Sequence, residues 1–120
     1  MGLTHVTVTV ADLARHGTPY EADFLVDTGA IDCLAPADRL DTAGVKREGR
    51  RVYEPANGDP IELEYGFARV SFMGSETVAQ VIFGPPDAEP ILGVVALENT
   101  GIVVDPITNT LKRLHAVPLK

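Results

Sequence analysis

Apolar residues that alternate one by one, broken by glycine, proline and asparagine, confine this chain to a fold built from short strands. In "LTHVTVTVAD" Val6, Val8 and Val10 fall on one face and Thr7 and Thr9 on the other. That is the period of a half-buried strand. The pattern returns in three hairpin-like stretches. The first, "RRVYEPANGDPIELEYG", has Asn57-Gly58-Asp59 at its tip, the chemistry of a turn that needs positive φ. The second, "FARVSFMGSETVAQVIFG", is expected to turn at Gly74-Ser75. The third, "IVVDPITNTLKRLHAV", turns through Pro-Ile-Thr-Asn. Short strands at regular spacing point to a small β-barrel or sandwich. Two brief helices interrupt them. "PADRLDTAG" opens at Pro36 and stops at Gly44, and "GVVALENTG" stops at Gly101. "LARHGTPYEA" reads as a polar connection and "PPDAEP" as a loop.

At 120 residues the chain is one domain, residues 1–120, long enough to bury a core without staples. Its net charge of −7 and scattered Lys and Arg argue against nucleic acid or an anionic membrane as partner. One cysteine, Cys33, excludes an internal disulfide and suits a reducing compartment. No signal-peptide pattern opens the sequence, Val6 breaks the myristoylation pattern, and no apolar window reaches the ~20 residues of a membrane helix. The expectation is a cytoplasmic protein. His5, His16 and His115 share no ligand spacing with Cys33, so neither metal nor other cofactor is expected. Cys33, in an apolar run, reads as a small buried hydrophobe.

One stretch breaks the strand logic. "FLVDTGAIDCLAP", residues 24–36, follows three apolar residues with an acid, a hydroxyl and a glycine, then turns apolar again. A carboxylate beside a buried strand costs several kcal/mol unless it reaches the surface or finds donors. Thr28 offers a hydroxyl to a neighbouring segment. Gly29 permits positive φ and close approach, and Ala30 is small for the same reason. The amides of Gly29 and Ala30 are the expected donors to Asp27. As a bare tripeptide Asp-Thr-Gly is an ordinary turn. Its flanks and the later "PILG", Pro90–Gly93, give it more weight.

The ordered set "FLVDTGA", "ANGDPIELEYG" and "ILGVVALE" resembles the retropepsin-like aspartic proteases over roughly Val6 to Leu114. The C-terminal "GIVVDPITNTLKRL" brings it nearer to the protease domain of DNA-damage-inducible ubiquitin-shuttle proteins and bacterial relatives than to the viral enzymes. The resemblance implies an all-β fold, a small closed acid-protease barrel with one or two short helices. It implies an aspartic endopeptidase acting on peptide or protein substrates. Asp27 is then the catalytic acid, with Thr28, Gly29, Ala30, Leu92 and Gly93 as support. The flap is the hairpin from about Val52 to Gly66, with Ala56, Asn57, Gly58 and Asp59 at the substrate. An ordinary surface hairpin is an equal reading of that segment. The family uses two aspartates, and this chain has one Asp-Thr-Gly, so the site requires a homodimer that pairs Asp27 with its symmetry mate.

The sequence departs from the viral pattern at two positions. Ile31 and Val94 stand where an acid and an arginine pair, so an apolar contact is expected there. Asp32 matches a substrate-side acid, or is simply solvated. The dimer interface outside the Asp27 loops is expected within residues 101–118, through Val103, Leu111 and Leu114 and ended by Pro118, with little from residues 1–5. The alternative is that this hairpin only closes the barrel of its own chain. The alternative function is a non-catalytic module of the same fold that binds peptide or dimerises.

Overall fold

The computed structural model describes residues 4–119. Nine strands and two short helices follow in the order β1 (His5–Ala11), β2 (Tyr20–Val26), β3 (Cys33–Pro36), α1 (Ala37–Thr42), β4 (Gly49–Tyr53), β5 (Ile61–Phe72), β6 (Ser75–Gly84), β7 (Ile91–Leu92), α2 (Val94–Thr100), β8 (Ile102–Asp105) and β9 (Thr110–Arg113).

Seven strands form one sheet in the order β1-β2-β7-β3-β6-β5-β4, and β1 pairs with β5 as well. The ladder from β1 through β2, β7, β3, β6 and β5 therefore returns to β1, and β4 hangs from β5 outside that path. Most pairings are antiparallel. The exceptions are β2 with β7 and β3 with β6, which run parallel and join segments far apart in sequence. The alternation of β1 is realised as expected. Val8 and Val10 are fully buried, and Thr7 and Thr9 reach across to Asp23 and Glu21 of β2.

The core draws on this ladder, on both helices and on β8. Phe24, Leu40, Val70, Val81, Leu92 and Ile102 are essentially inaccessible to solvent. No polar or charged residue among those described is buried with them. Burying such side chains contributes roughly 1.5–3 kcal/mol each relative to exposure. Both helices stop at glycines in the left-handed region, Gly44 at φ +86 one residue past the α1 cap and Gly101 at φ +70. Each lifts the chain out of the helix where a side chain would be strained.

Several boundaries differ from the sequence reading. The polar connection ends early, because Tyr20–Ala22 already belong to β2. Cys33–Pro36 is a strand and not only an apolar run, and Ile91–Leu92 is a short one. The second hairpin turns at Met73-Gly74, both with positive φ, with Phe72 opposite Ser75. The third hairpin is a separate two-stranded sheet. It therefore does not extend the main ladder. Its pairing stops at Arg113 with Ile102 opposite, ahead of Pro118. Leu111 packs against the core, Leu114 is half-buried and Val103 is 37% exposed, so only Val103 of the three offers much free apolar surface. Residues 1–3 lie outside the described residues. Thr4 is engaged within the chain, accepting from the Val26 amide and donating to the Asn109 carbonyl.

Candidate functional site

Asp27 sits where β2 ends, and the loop after it is held from below by backbone bonds. Leu25 donates to the Pro90 carbonyl at 2.9 Å and Asp27 to the Leu92 carbonyl at 3.1 Å. In return Val94 donates to Ala30 at 2.8 Å and Val95 to Ile31 at 3.2 Å. The loop is thus stitched to β7 and the first turn of α2 from both sides. Hydrogen bonds of this kind restrict the backbone to one course. Gly93 is required at the crossing. A Cβ there would lie 2.4 Å from the Asp32 carbonyl and 2.7 Å from that of Ile31.

The Asp27 side chain is half-buried and accepts the Gly29 amide on Oδ1 at 2.9 Å. The second expected donor behaves otherwise. The Ala30 amide donates to the Asp27 backbone carbonyl at 3.1 Å, closing a turn instead of holding the carboxylate. Gly29 is not among the glycines with positive φ, so its smallness matters more than its freedom. A Cβ on it would lie 3.2 Å from Asp27 Oδ1. Thr28 is exposed and lines a different surface from Asp27.

Asp27 opens into a cleft of about 590 Å³ whose lining joins the loop to the tip-side half of β4 and the turn that follows it. From the loop come Gly29, Ala30, Ile31 and Asp32, and from the hairpin Arg51, Tyr53, Glu54 and Ala56. Of the flap residues expected at the substrate, only Ala56 reaches the cleft lining. Asn57, Gly58 and Asp59 form the exposed tip, where Gly58 has φ +90 and Asp59 donates its amide to Asn57 Oδ1 at 3.2 Å. Ile31 is 68% exposed and faces this cleft. The join between the Asp27 loop and α2 therefore rests on the two backbone bonds, and the expected Ile31–Val94 apolar brace does not bury Ile31.

The rear of the cleft holds groups the sequence reading left out. Gln80 Nε2 donates to Asp32 Oδ2 at 3.1 Å. Burial pushes the Asp32 carboxyl above its ordinary value, and the nearby Arg51 charge draws it back. The Arg51 guanidinium carbon lies 5.2 Å from the centroid of the Tyr65 ring. Burial also raises the Tyr53 phenol, against the influence of Gln80. Yet Tyr53 Oη closes no hydrogen bond of sound geometry, the one such buried side-chain atom among the described residues. Gln80 lies close enough to act on the phenol without closing a hydrogen bond to it. Arg51 and Tyr53 alternate with Arg50 and Val52 on β4, so a period-two reading already places them on one face. Gln80 and Ile82 come from β6, which no local signal ties to Asp27.

On the far side of the Asp27 loop lies an apolar groove. Thr28, Val94, Leu97, Ile102, Val103 and Pro106 line a space of about 400 Å³. A second hollow of about 430 Å³ continues past Leu97 and Val103 to Leu114, Val117 and Pro118.

Cys33 is buried and unpaired with another cysteine, and burial pushes its thiol to about 11. No group of three or more His, Cys, Asp or Glu among the described residues is arranged to hold a metal ion. No helix among them is long and apolar enough to cross a membrane. Comparison with protein-family models gives no match, and no curated protein matches the chain significantly.

Proposed function

We propose that this chain is a homodimeric aspartic endopeptidase of retropepsin-like fold, with one Asp27 from each copy forming the catalytic pair. The observation that carries the reading is the Asp27 loop itself. A half-buried carboxylate is set by the Gly29 amide, stitched to β7 and α2 through Leu92 and Val94, and opened onto a cleft floored by a hairpin. The returning ladder of β1, β2, β7, β3, β6 and β5 is read here as the closed barrel of that family.

Two such carboxylates at close range share one proton, since both cannot ionise together. In the proposed reaction the ionised carboxylate takes a proton from water as the oxygen attacks the peptide carbonyl carbon. The protonated carboxyl gives its proton to the carbonyl oxygen. Collapse of the tetrahedral adduct breaks the C–N bond, and the amine leaves with a proton returned through the pair. Products are an acid and an amine, and the pair again holds one proton.

The apolar groove beside Thr28 supports pairing of two copies. It begins at the Asp27 loop and runs along α2 and β8, so a copy seated there meets the loop as well. A twofold axis satisfies such a face without open-ended growth. The reading includes a cytoplasmic setting, supported by a lone, buried, free Cys33. The test is hydrolysis of a mixed peptide library by wild type and by Asp27→Asn, with oligomeric state measured by sedimentation. The reading requires cleavage by the wild type, none by the variant, and a dimer in both. A non-catalytic peptide-binding module would instead bind library peptides without cutting them.

A further inference from the structure

We propose that the Asp27 cleft selects peptides carrying an acidic side chain, and that Arg51, backed by Tyr53, is the residue that reads it. The proposal rests on the peptide-cleft reading of the same site and names its substrate class.

The cleft lining holds three carboxylates, Asp27, Asp32 and Glu54, and one cation, Arg51. On charge alone a basic ligand is the obvious guest. The hydrogen-bonding state of the groups points the other way. Asp32 already accepts from Gln80, and Asp27 from the Gly29 amide. Glu54 is exposed and meets its needs in water. Arg51 and Tyr53 differ from Asp27 and Asp32 in making no hydrogen bond at all. Among the described residues the Arg51 guanidinium has no ion pair within 4.0 Å and no hydrogen bond; it lies against the Tyr65 ring, near enough to Asp32 for the two charges to interact. Tyr53 Oη, on the same face of β4, is buried without a partner. A buried hydroxyl left unpaired costs about 1–3 kcal/mol, so a ligand that supplies an acceptor is favoured there.

The geometry of Arg51 suits this role. Stacking over Tyr65 at 5.2 Å limits the swing of the guanidinium. Its five donors form a planar fork that matches a carboxylate through two parallel bonds. Pre-positioning lowers the ordering cost of binding. Around it, Asp27, Asp32 and Glu54 repel a second anion, so the preference is confined to one peptide position. Arg50, the neighbouring arginine, is not free in this way. It pairs with Glu62 at 3.2 Å on the opposite face.

The test uses peptides that differ only by Glu, Gln or Lys at one position, scanned along the sequence. Cleavage by wild type is read as kcat/KM. Binding is read by fluorescence anisotropy on Asp27→Asn, in the Arg51, Arg51→Gln and Arg51→Glu backgrounds. Melting curves confirm that each variant folds. The expected result is a Glu-over-Gln preference of about tenfold at one position, the scale of a charged hydrogen bond. It is lost in Arg51→Gln and turned to Lys in Arg51→Glu. Tyr53→Phe keeps the position and weakens the preference. Cleavage with no Glu preference, or a Lys preference in wild type, overturns the proposal and leaves the protease reading intact. Glu-selective binding without cleavage by wild type upholds it and overturns the protease reading. Neither binding nor cleavage overturns both.

Discussion

Asp27 and Leu92 are joined by a backbone hydrogen bond of 3.1 Å, from the amide of the one to the carbonyl of the other. They are 65 positions apart in sequence. The bond extends the parallel pairing of β2 with β7 by one step, past Val26 opposite Leu92. It fixes the height of the Asp27 loop above the core, because Leu92 is fully buried.

Gly93→Ala should disturb the loop without touching its chemistry. The added methyl meets two carbonyl oxygens of rigid backbone at 2.4 and 2.7 Å, so the Ile31–Asp32 segment must move. Overpacking of this kind costs about 1–3 kcal/mol. Denaturant unfolding should show that loss, and hydrolysis should fall further than stability alone explains. Unchanged stability would mean that the loop yields freely.

Gly58→Ala should behave differently. No atom lies within 4 Å of the added methyl, so nothing clashes, but φ +90 is strained for any side chain. The expected cost is about 1 kcal/mol, borne by the hairpin tip alone. Proteolytic nicking between residues 54 and 60 should become faster while the melting temperature barely moves. A large drop in melting temperature would show that the tip packs against something in solution.

Acid should loosen the fold through identifiable carboxylates. The Gly17 and His16 amides hold the Asp12 carboxyl below its ordinary value, Arg15 does so for Glu76, and the Ile107 and Thr108 amides for Asp105. A depressed carboxyl gives stability that is present above its unfolded value, near 4, and lost as pH falls through its folded value. The melting temperature should therefore fall steadily below about pH 4. Asp12→Asn should flatten that fall and lower the plateau above it. The same slope in the variant would remove Asp12 from the account.

Pairing of two copies should depend on the groove beside Thr28. Val103 is 37% exposed and lines both hollows of that groove. Val103→Asp should give folded, inactive monomers in sedimentation, with the wild-type circular dichroism. A variant that still sediments as a dimer would move the interface elsewhere.

The sequence makes the local parts of this fold legible and hides the distant ones. The valine alternation of β1, the Asn57-Gly58 tip and the stops at Gly44 and Gly101 follow from backbone chemistry within a few residues. Asp27 stands out because an acid beside an apolar run needs an explanation. Strand β3 was hidden because Cys33–Pro36 pairs in parallel with β6, whose matching residues begin at Val81. No turn signal marks such a pairing. No local signal marks Arg51, Tyr53 or Gln80 as belonging to the site. Each looks like an ordinary strand residue until β4 and β6 are set against the Asp27 loop. The turn falls at Met73-Gly74, one residue before Gly74-Ser75, because Met73 takes a positive φ that methionine seldom adopts.

The central claim is that catalysis needs an Asp27 from each of two copies. Mixing wild type with Asp27→Asn, unfolding and refolding them together at equal amounts, tests it most directly. Random pairing leaves about a quarter of all dimers with two intact aspartates. Activity per wild-type chain should therefore fall to about half of its unmixed value at fixed total protein. Activity per wild-type chain that does not change on mixing would show that each Asp27 works alone, and would contradict the account.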